Sequence, residues 1–320
     1  MKALRVSHGN TSLEDIGLPQ TTDESLVRVV CSGICNTDLE IIKGYAAFEG
    51  TIGHEFVGIV EHTPKDPSLI GKRVVGEINA GCGTCPLCLA GDPRHCPGRT
   101  VLGIKGRDGS HAEYLSLPAA NLLPVPDTVS NEQAVFAEPL AAAIGITEQV
   151  EIRPETRVAV IGDGKLGQLC VRAISSLTAK ASLIGKHTSK LKMAESQGIE
   201  TIPLEKAGSM AASFDVVVEA SGAESGFASA LDLVRPRGKI VLKSTFHGKP
   251  VWEAWRVVVD EITVVGSRCG RLGSALEYLA AGRVRVDDLI DSRFGLTKAL
   301  DAIDRASSSG TMKVLLDIEN

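Results

Sequence analysis

A chain of 320 residues with a formal net charge of -5, and charges of both signs spread without long runs, has no basic footprint for nucleic acid or an anionic membrane. Its length suffices for two domains with cores of their own; 43% hydrophobic residues with only 4% aromatics put those cores on Val, Ile, Leu and Ala, and 33 glycines suit an α/β protein rich in tight turns. MKALRVSHGNTSLEDIG has no apolar signal-peptide core and no run of about 18 apolar residues occurs, so a soluble, cytoplasmic protein is expected, in which eight cysteines serve metal or chemistry more readily than disulfides.

From residue 1 to about 125, short strands are broken by glycine and proline: KALRV, SLVRVVCSG, FVGIVEHT, KRVVGEI and HAEYLSLP. With few regular helices among them they predict a barrel-like β domain. LLPVPDTVS then carries two prolines and Ser130, an N-cap for an Ala-rich helix from Asn131, and marks the crossing between domains. From about residue 156 strand and helix alternate. RVAVIG, ASLIGK, IETIPL, FDVVVEAS, GKIVLKST and ITVVGSR are near-continuous apolar runs, as a parallel sheet covered on both faces requires, and six of them suit a doubly wound domain. Beyond Arg268 come two helices, around ALEYLAAG and TKALDAIDRASS, and a closing strand, MKVLLDI.

Gly162, Gly164 and Gly167, with Lys165 and Leu166 between them, form G-x-G-x-x-G where an apolar strand passes into a helix. That context suits a dinucleotide: a tight turn, a close backbone approach to the pyrophosphate, tight helix packing, and a helix N-terminus that attracts phosphate. About twenty residues on, an acid would bind the ribose 2′-hydroxyl of NAD. Here LIGKHTSK offers Gly185, Lys186, His187 and Lys190, with no carboxylate between Ala179 and Met193, and this favours the 2′-phosphate of NADP.

Cys82, Cys85, Cys88 and Cys96 follow C-x2-C-x2-C-x7-C. Four thiolates gathered by short turns suit a closed tetrahedral zinc with a structural role; an iron-sulfur cluster is the rival. Cys35, Thr37 and Asp38 in CSGICNTDLE, His54 and Glu55 in GHEFVGIV, and Glu138 in FAEPLAAA form a second set. Each alone has a packing or helix-dipole explanation. Together with a dinucleotide site, a thiol, an imidazole and a carboxylate make a three-ligand zinc pattern that leaves a position open.

The order GICNTD, GHEFVG, the four-cysteine lobe, AEPLA, VIGDGKLG and VVVEASG resembles the zinc-dependent medium-chain dehydrogenase/reductase family of alcohol, polyol and threonine dehydrogenases, over nearly the whole chain. The resemblance implies an α/β protein: a GroES-like, β-rich catalytic domain from both chain ends, residues 1–128 and 270–320, around an inserted Rossmann NADP-binding domain, residues 129–269. It also implies two zinc ions per chain. Cys35, His54 and Glu138 would hold the catalytic one, Glu55 would approach that metal or exchange with its water, and Asp38 would orient the ligand histidine. Thr37 would pass the substrate proton outward, while hydride moves between the substrate carbon and a nicotinamide in the interdomain cleft. The partner implied is a small alcohol or carbonyl compound, and the assembly a homodimer or tetramer pairing through ITVVGSR.

The chain departs from that pattern in places. Eighteen residues separate Cys35 from His54, so the loop KGYAAFEGTI is trimmed, and Glu40 stands where some alcohol dehydrogenases have a relay histidine. Tyr45, Phe48, Phe246, His247 and Arg268 are candidates for the pocket wall or for packing. A zinc-free enoyl or quinone reductase and a non-catalytic NADP(H) sensor are the alternative functions of the same fold.

Overall fold

Apolar side chains alternate along the first half of SLVRVVCSGI: Val27, Val29 and Cys31 are buried while Leu26, Arg28 and Val30 are partly exposed. From Cys31 to Ile34 every residue is buried, and the candidate site gathers around that stretch. The computed structural model describes residues 1–245 and 253–319. Its first elements are β1 (Lys2–Ser7), β2 (Asn10–Asp15), β3 (Ser25–Ile34), α1 (Asn36–Ile42), β4 (Gly50–Thr51), β5 (Glu55–His62), β6 (Arg73–Gly76), β7 (Asn79–Ala80), α2 (Pro86–Leu89), β8 (Thr100–Val101), β9 (Tyr114–Leu117), β10 (Leu122–Pro124), α3 (Asn131–Val135) and α4 (Ala137–Ile144). An alternating series follows: β11 (Val158–Ile161), α5 (Lys165–Ser175), β12 (Ala181–Gly185), α6 (Thr188–Glu195), β13 (Glu200–Pro203), β14 (Phe214–Glu219), α7 (Gly226–Leu233), β15 (Val234–Leu242), α8 (Ala254–Val259), β16 (Thr263–Gly266) and α9 (Leu272–Ala280). β17 (Ile290–Gly295), α10 (Ala299–Ser307) and β18 (Lys313–Asp317) close the chain.

The chain folds as two compact units, Met1–Glu138 with Val286–Asn320, and Pro139–Arg285. In the first, a mainly antiparallel sheet runs β10-β6-β5-β3-β18-β17, with β9 also on β3, and a smaller sheet runs β2-β1-β4. The C-terminal strand β18 pairs with β3, so both ends of the chain build one core around Val27, Val29, Ile34, Phe56, Val314 and Leu316. Both chain ends thus build one unit around an insertion, as the resemblance implied.

The inserted unit is a six-stranded parallel sheet of order β13-β12-β11-β14-β15-β16, the doubly wound Rossmann arrangement. All four residues of β11 are buried, and each fully buried Val or Ile is worth about 1.5–3 kcal/mol.

The units divide at 138/139 and 285/286, beyond the expected 128/129 and 269/270. Packing explains both differences. Ser130 caps α3, accepting from the Gln133 amide at 3.2 Å while Gln133 Oε1 accepts from the Ser130 amide at 3.1 Å, and the helix then packs on β3 and β5 of the first unit. At the other boundary Gly270 lies against the backbone of Ala141 and Gly145, which holds the following helix, α9, to the inserted unit. Among the described residues, no helix is long and apolar enough to cross a membrane.

Candidate active site

β3 ends at Ile34, and Cys35 is the N-cap of α1, which places Thr37 and Asp38 in the first turn of that helix. His54 and Glu55 stand at the start of β5, where Glu55 is opposite Gly33 in the β3–β5 register. The ligand atoms of Cys35, His54 and Glu55 lie within 4.8 Å of one another. A tetrahedral zinc with bonds of about 2.0–2.3 Å draws such atoms only slightly closer, and thiolate, imidazole and carboxylate are the donors it takes.

Asp38 is fully buried, and its carboxylate organises the turn. It accepts from the backbone N–H of Cys35 at 2.8 Å and of Gly53 at 3.1 Å, and Oδ1 lies 3.3 Å from His54 Nδ1. Nε2 is therefore the His54 nitrogen left to ligate. Burial alone would raise the Asp38 carboxyl, but His54 and His111 outweigh it and hold the group far below the usual carboxylate range. For His54 burial works against the charge, and Asp38 and Cys35 together still raise it well above the ordinary imidazole value. Thr37 Oγ1 lies 3.7 Å from the Cys35 sulfur and is partly exposed.

Glu138 lies outside the 4.8 Å group but interacts electrostatically with His54 and Glu55; burial pushes its carboxyl up to about 7. Glu55 is fully buried, and its Oε2 forms an ion pair with Lys313 Nζ from β18. Its other oxygen, Oε1, is buried with no partner among the described residues, the kind of orphan that a bound cation satisfies. Gly33 makes this geometry possible: a Cβ there would lie 2.6 Å from Glu55 Oε2, 2.7 Å from Val135 and 3.3 Å from Lys313 Cδ.

Two buried residues escaped the sequence reading. Lys313 stands alone as a cation in an apolar strand, which was its one signal. His111, in GSHAEY, has Nδ1 2.8 Å from Ser32 Oγ and Nε2 3.5 Å from Asp38 Oδ2. His54 and His111 thus face Asp38 from two sides. Gly53 has φ +97°, and a Cβ there would lie 2.5 Å from the His111 ring. Gly53→Ala is expected to lower stability by about 1–3 kcal/mol, read as a fall in thermal midpoint.

Of the proposed pocket residues, Phe48 belongs to the core of the first unit, Tyr45 and Arg268 are exposed, and Phe246 and His247 lie outside the described residues. Glu40 is engaged by Lys43 at 3.0 Å.

In the cysteine lobe the sulfurs of Cys82, Cys85, Cys88 and Cys96 lie within 4.8 Å of one another. Cys85 caps α2 with Pro86 at the first helical position, so the short helix turns Cys88 back toward Cys85. Hydrogen bonds from Thr84 and Cys85 bring the Cys82 thiol down to about 6, which readies it as a thiolate.

In the inserted unit the glycine motif adopts the geometry its spacing predicts. Gly162 has φ +112° against the backbone of Ala220; Gly164 is the N-cap of α5, with Lys165 and Leu166 opening the helix; and a Cβ on Gly167 would lie 1.8 Å from the Gly162 carbonyl oxygen. Gly185 ends β12, and Lys186 and His187 are exposed beyond it, with Lys190 in the first turn of α6.

Residues 21–127 match the alcohol dehydrogenase GroES-like domain, and residues 166–281 match the zinc-binding dehydrogenase domain. Erythritol/L-threitol dehydrogenase of Mycolicibacterium smegmatis is 30% identical over 97% of this chain and 96% of its own length; D-arabitol-phosphate dehydrogenase of Enterococcus avium is 27% identical over 95% and 92%. A zinc-binding dehydrogenase from Sinorhizobium meliloti, solved with NADP bound, superposes with a TM-score of 0.90 at 29% identity, covering 99% of each chain. The chain belongs to the zinc-binding medium-chain dehydrogenase/reductase family. It is an oxidoreductase of the alcohol dehydrogenase kind.

Proposed function

We propose that this chain is a zinc-dependent, NADP-preferring dehydrogenase that interconverts a secondary alcohol or polyol and the matching carbonyl compound. The observation that carries this reading is the cluster of Cys35, His54 and Glu55 with Asp38 behind His54. Zinc, when bound, supplies Lewis acidity toward the substrate oxygen, and the nicotinamide accepts or returns the hydride. Cys35, His54 and Glu138 would hold the metal, with Glu55 in reach through Oε1. Asp38, fixed by two backbone amides, keeps His54 in one tautomer and orientation. Thr37 takes the hydroxyl proton toward solvent, and Glu40, where some alcohol dehydrogenases have a relay histidine, is tied to Lys43.

The closed set of four cysteines would hold a second, structural zinc. Stripping it with a strong chelator, or Cys96→Ser, is expected to open the lobe between residues 81 and 99 to protease cleavage, read by mass spectrometry of the fragments. A lobe that stays resistant would argue against metal there.

For the cofactor, the cationic loop after β12 and the NADP-bound relative support NADP over NAD. For the assembly, β16 is an edge strand, and Trp255, Val258 and Val259 of α8 are well exposed beside it in sequence; a second copy pairing there would cover both. The test of the function is turnover of a panel of secondary alcohols and polyols by zinc-loaded protein, followed through the nicotinamide absorbance with NADP or NAD. Turnover of at least one polyol, faster with NADP at low cofactor, supports the reading. Silence across the panel, and with the matching ketones and NADPH, contradicts it.

A further inference from the structure

In a Rossmann unit the side chain at the end of the second strand meets the adenosine ribose or its 2′-phosphate. Here that position is Gly185, and a Cβ built on it would lie 2.5 Å from Oδ2 of Asp163. The space from which a ribose-binding acid would start is filled by a carboxylate from the glycine-rich turn, between Gly162 and Gly164. Asp163 is 6% exposed. It accepts from the backbone N–H of Lys186 at 2.8 Å and of His187 at 2.7 Å, and His187 Nδ1 lies 2.9 Å from Oδ1. One buried carboxylate thus ties the phosphate turn to the loop that reads the ribose. Burial works against its charge, yet the His187 amide and ring outweigh it and hold the carboxyl below its ordinary value. An ionised carboxylate only accepts, so Nδ1 carries a proton. Nε2, on a ring 51% exposed, is then the nitrogen left for a ligand.

We propose that Asp163 is a positioning residue for cofactor choice: by accepting from Nδ1–H it orients the His187 ring so that, in the doubly protonated form, Nε2–H donates to the 2′-phosphate of NADP(H) beside Lys186 and Lys190. The inference rests on the NADP reading given above and deepens it. Asp163 does not compete with the phosphate, because both its oxygens are engaged by loop donors and little of it reaches solvent. No carboxylate lies between Ala179 and Met193 to oppose the two lysines. NAD(H) presents only a hydroxyl at this point and gains little from the same arrangement.

The test is the dissociation constant for NADPH and for NADH, from nicotinamide fluorescence on the full zinc-loaded chain, for wild type, Asp163→Asn, His187→Ala and the double variant. Asp163→Asn is expected to weaken NADPH about tenfold, the worth of one charge-assisted hydrogen bond, and to leave NADH within about twofold. His187→Ala should do the same, and the double variant should be no worse than His187→Ala alone. Equal weakening of both cofactors, tighter NADPH, or losses that add in the double variant would each overturn the proposal. Should Asp163→Asn fail to fold, His187→Asn decides: it keeps a donor for Asp163 but removes Nε2, and unchanged NADPH affinity overturns the proposal. A wild type that binds both cofactors equally removes the NADP preference itself, while the Asp163/His187 cycle on NADPH still reads whether the two act together.

Discussion

Replacing Cys35 by alanine is expected to lower alcohol turnover by about a thousandfold or more and to remove one of two zinc ions per chain. A Lewis acid supplies several kcal/mol of barrier lowering, and each 1.36 kcal/mol is tenfold in rate. The thiol sits at the N-cap of α1 and is partly exposed, so its loss does not open a core cavity. His54 stays oriented by Asp38, and Asp38 stays held by the amides of Cys35 and Gly53, which alanine at 35 preserves. The variant should therefore keep its circular dichroism spectrum while losing metal and rate together. Turnover within tenfold of wild type would mean that the thiol is not part of the chemistry.

Lys313→Met is expected to cost about 3–5 kcal/mol of stability, because it strands a buried carboxylate. Lys313 is 2% exposed and Glu55 is fully buried. Burial alone would discharge the lysine; Glu55, Cys35 and Asp38 outweigh it and raise its ammonium above the ordinary range. Phe136 adds a ring face 5.8 Å from Nζ. The second variant to make is Glu55→Gln with Lys313→Met: with both charges gone, more than half of the loss should return in urea unfolding of the metal-free protein. A single Lys313→Met costing under about 1 kcal/mol would show that Glu55 finds another partner, and the double variant would then gain nothing.

The inserted unit was legible because a parallel sheet buries both strand faces: RVAVIG, ASLIGK and FDVVVEAS are near-continuous apolar runs that alternate with helical stretches. β17 was not, since IDSRFG alternates weakly along a strand that, among the described residues, pairs only with β18. The unit boundaries moved for a similar reason: α3 belongs to the first unit through its packing on β3 and β5, which its own sequence does not express. The cysteine lobe could be seen from spacing alone, because all four thiols come from one short segment. Cys35, His54 and Glu138 could be grouped by donor type beside a dinucleotide motif, but their individual roles came through resemblance to a family. Lys313 lies 258 residues from Glu55, and the β5–β3 and β3–β18 pairings together bring them side by side. Asp163 sits inside a motif whose glycines were read and whose intervening acid was not.

The most direct test is zinc per chain, by elemental mass spectrometry on protein purified without chelator. About two zinc ions per chain in wild type, and about one in Cys35→Ala, is the expected result, with one ion in the cysteine lobe and one at Cys35, His54 and Glu138. About one per chain in wild type, persisting after excess zinc is supplied, would contradict the account and leave a zinc-free reductase or an NADP(H) sensor as the better description.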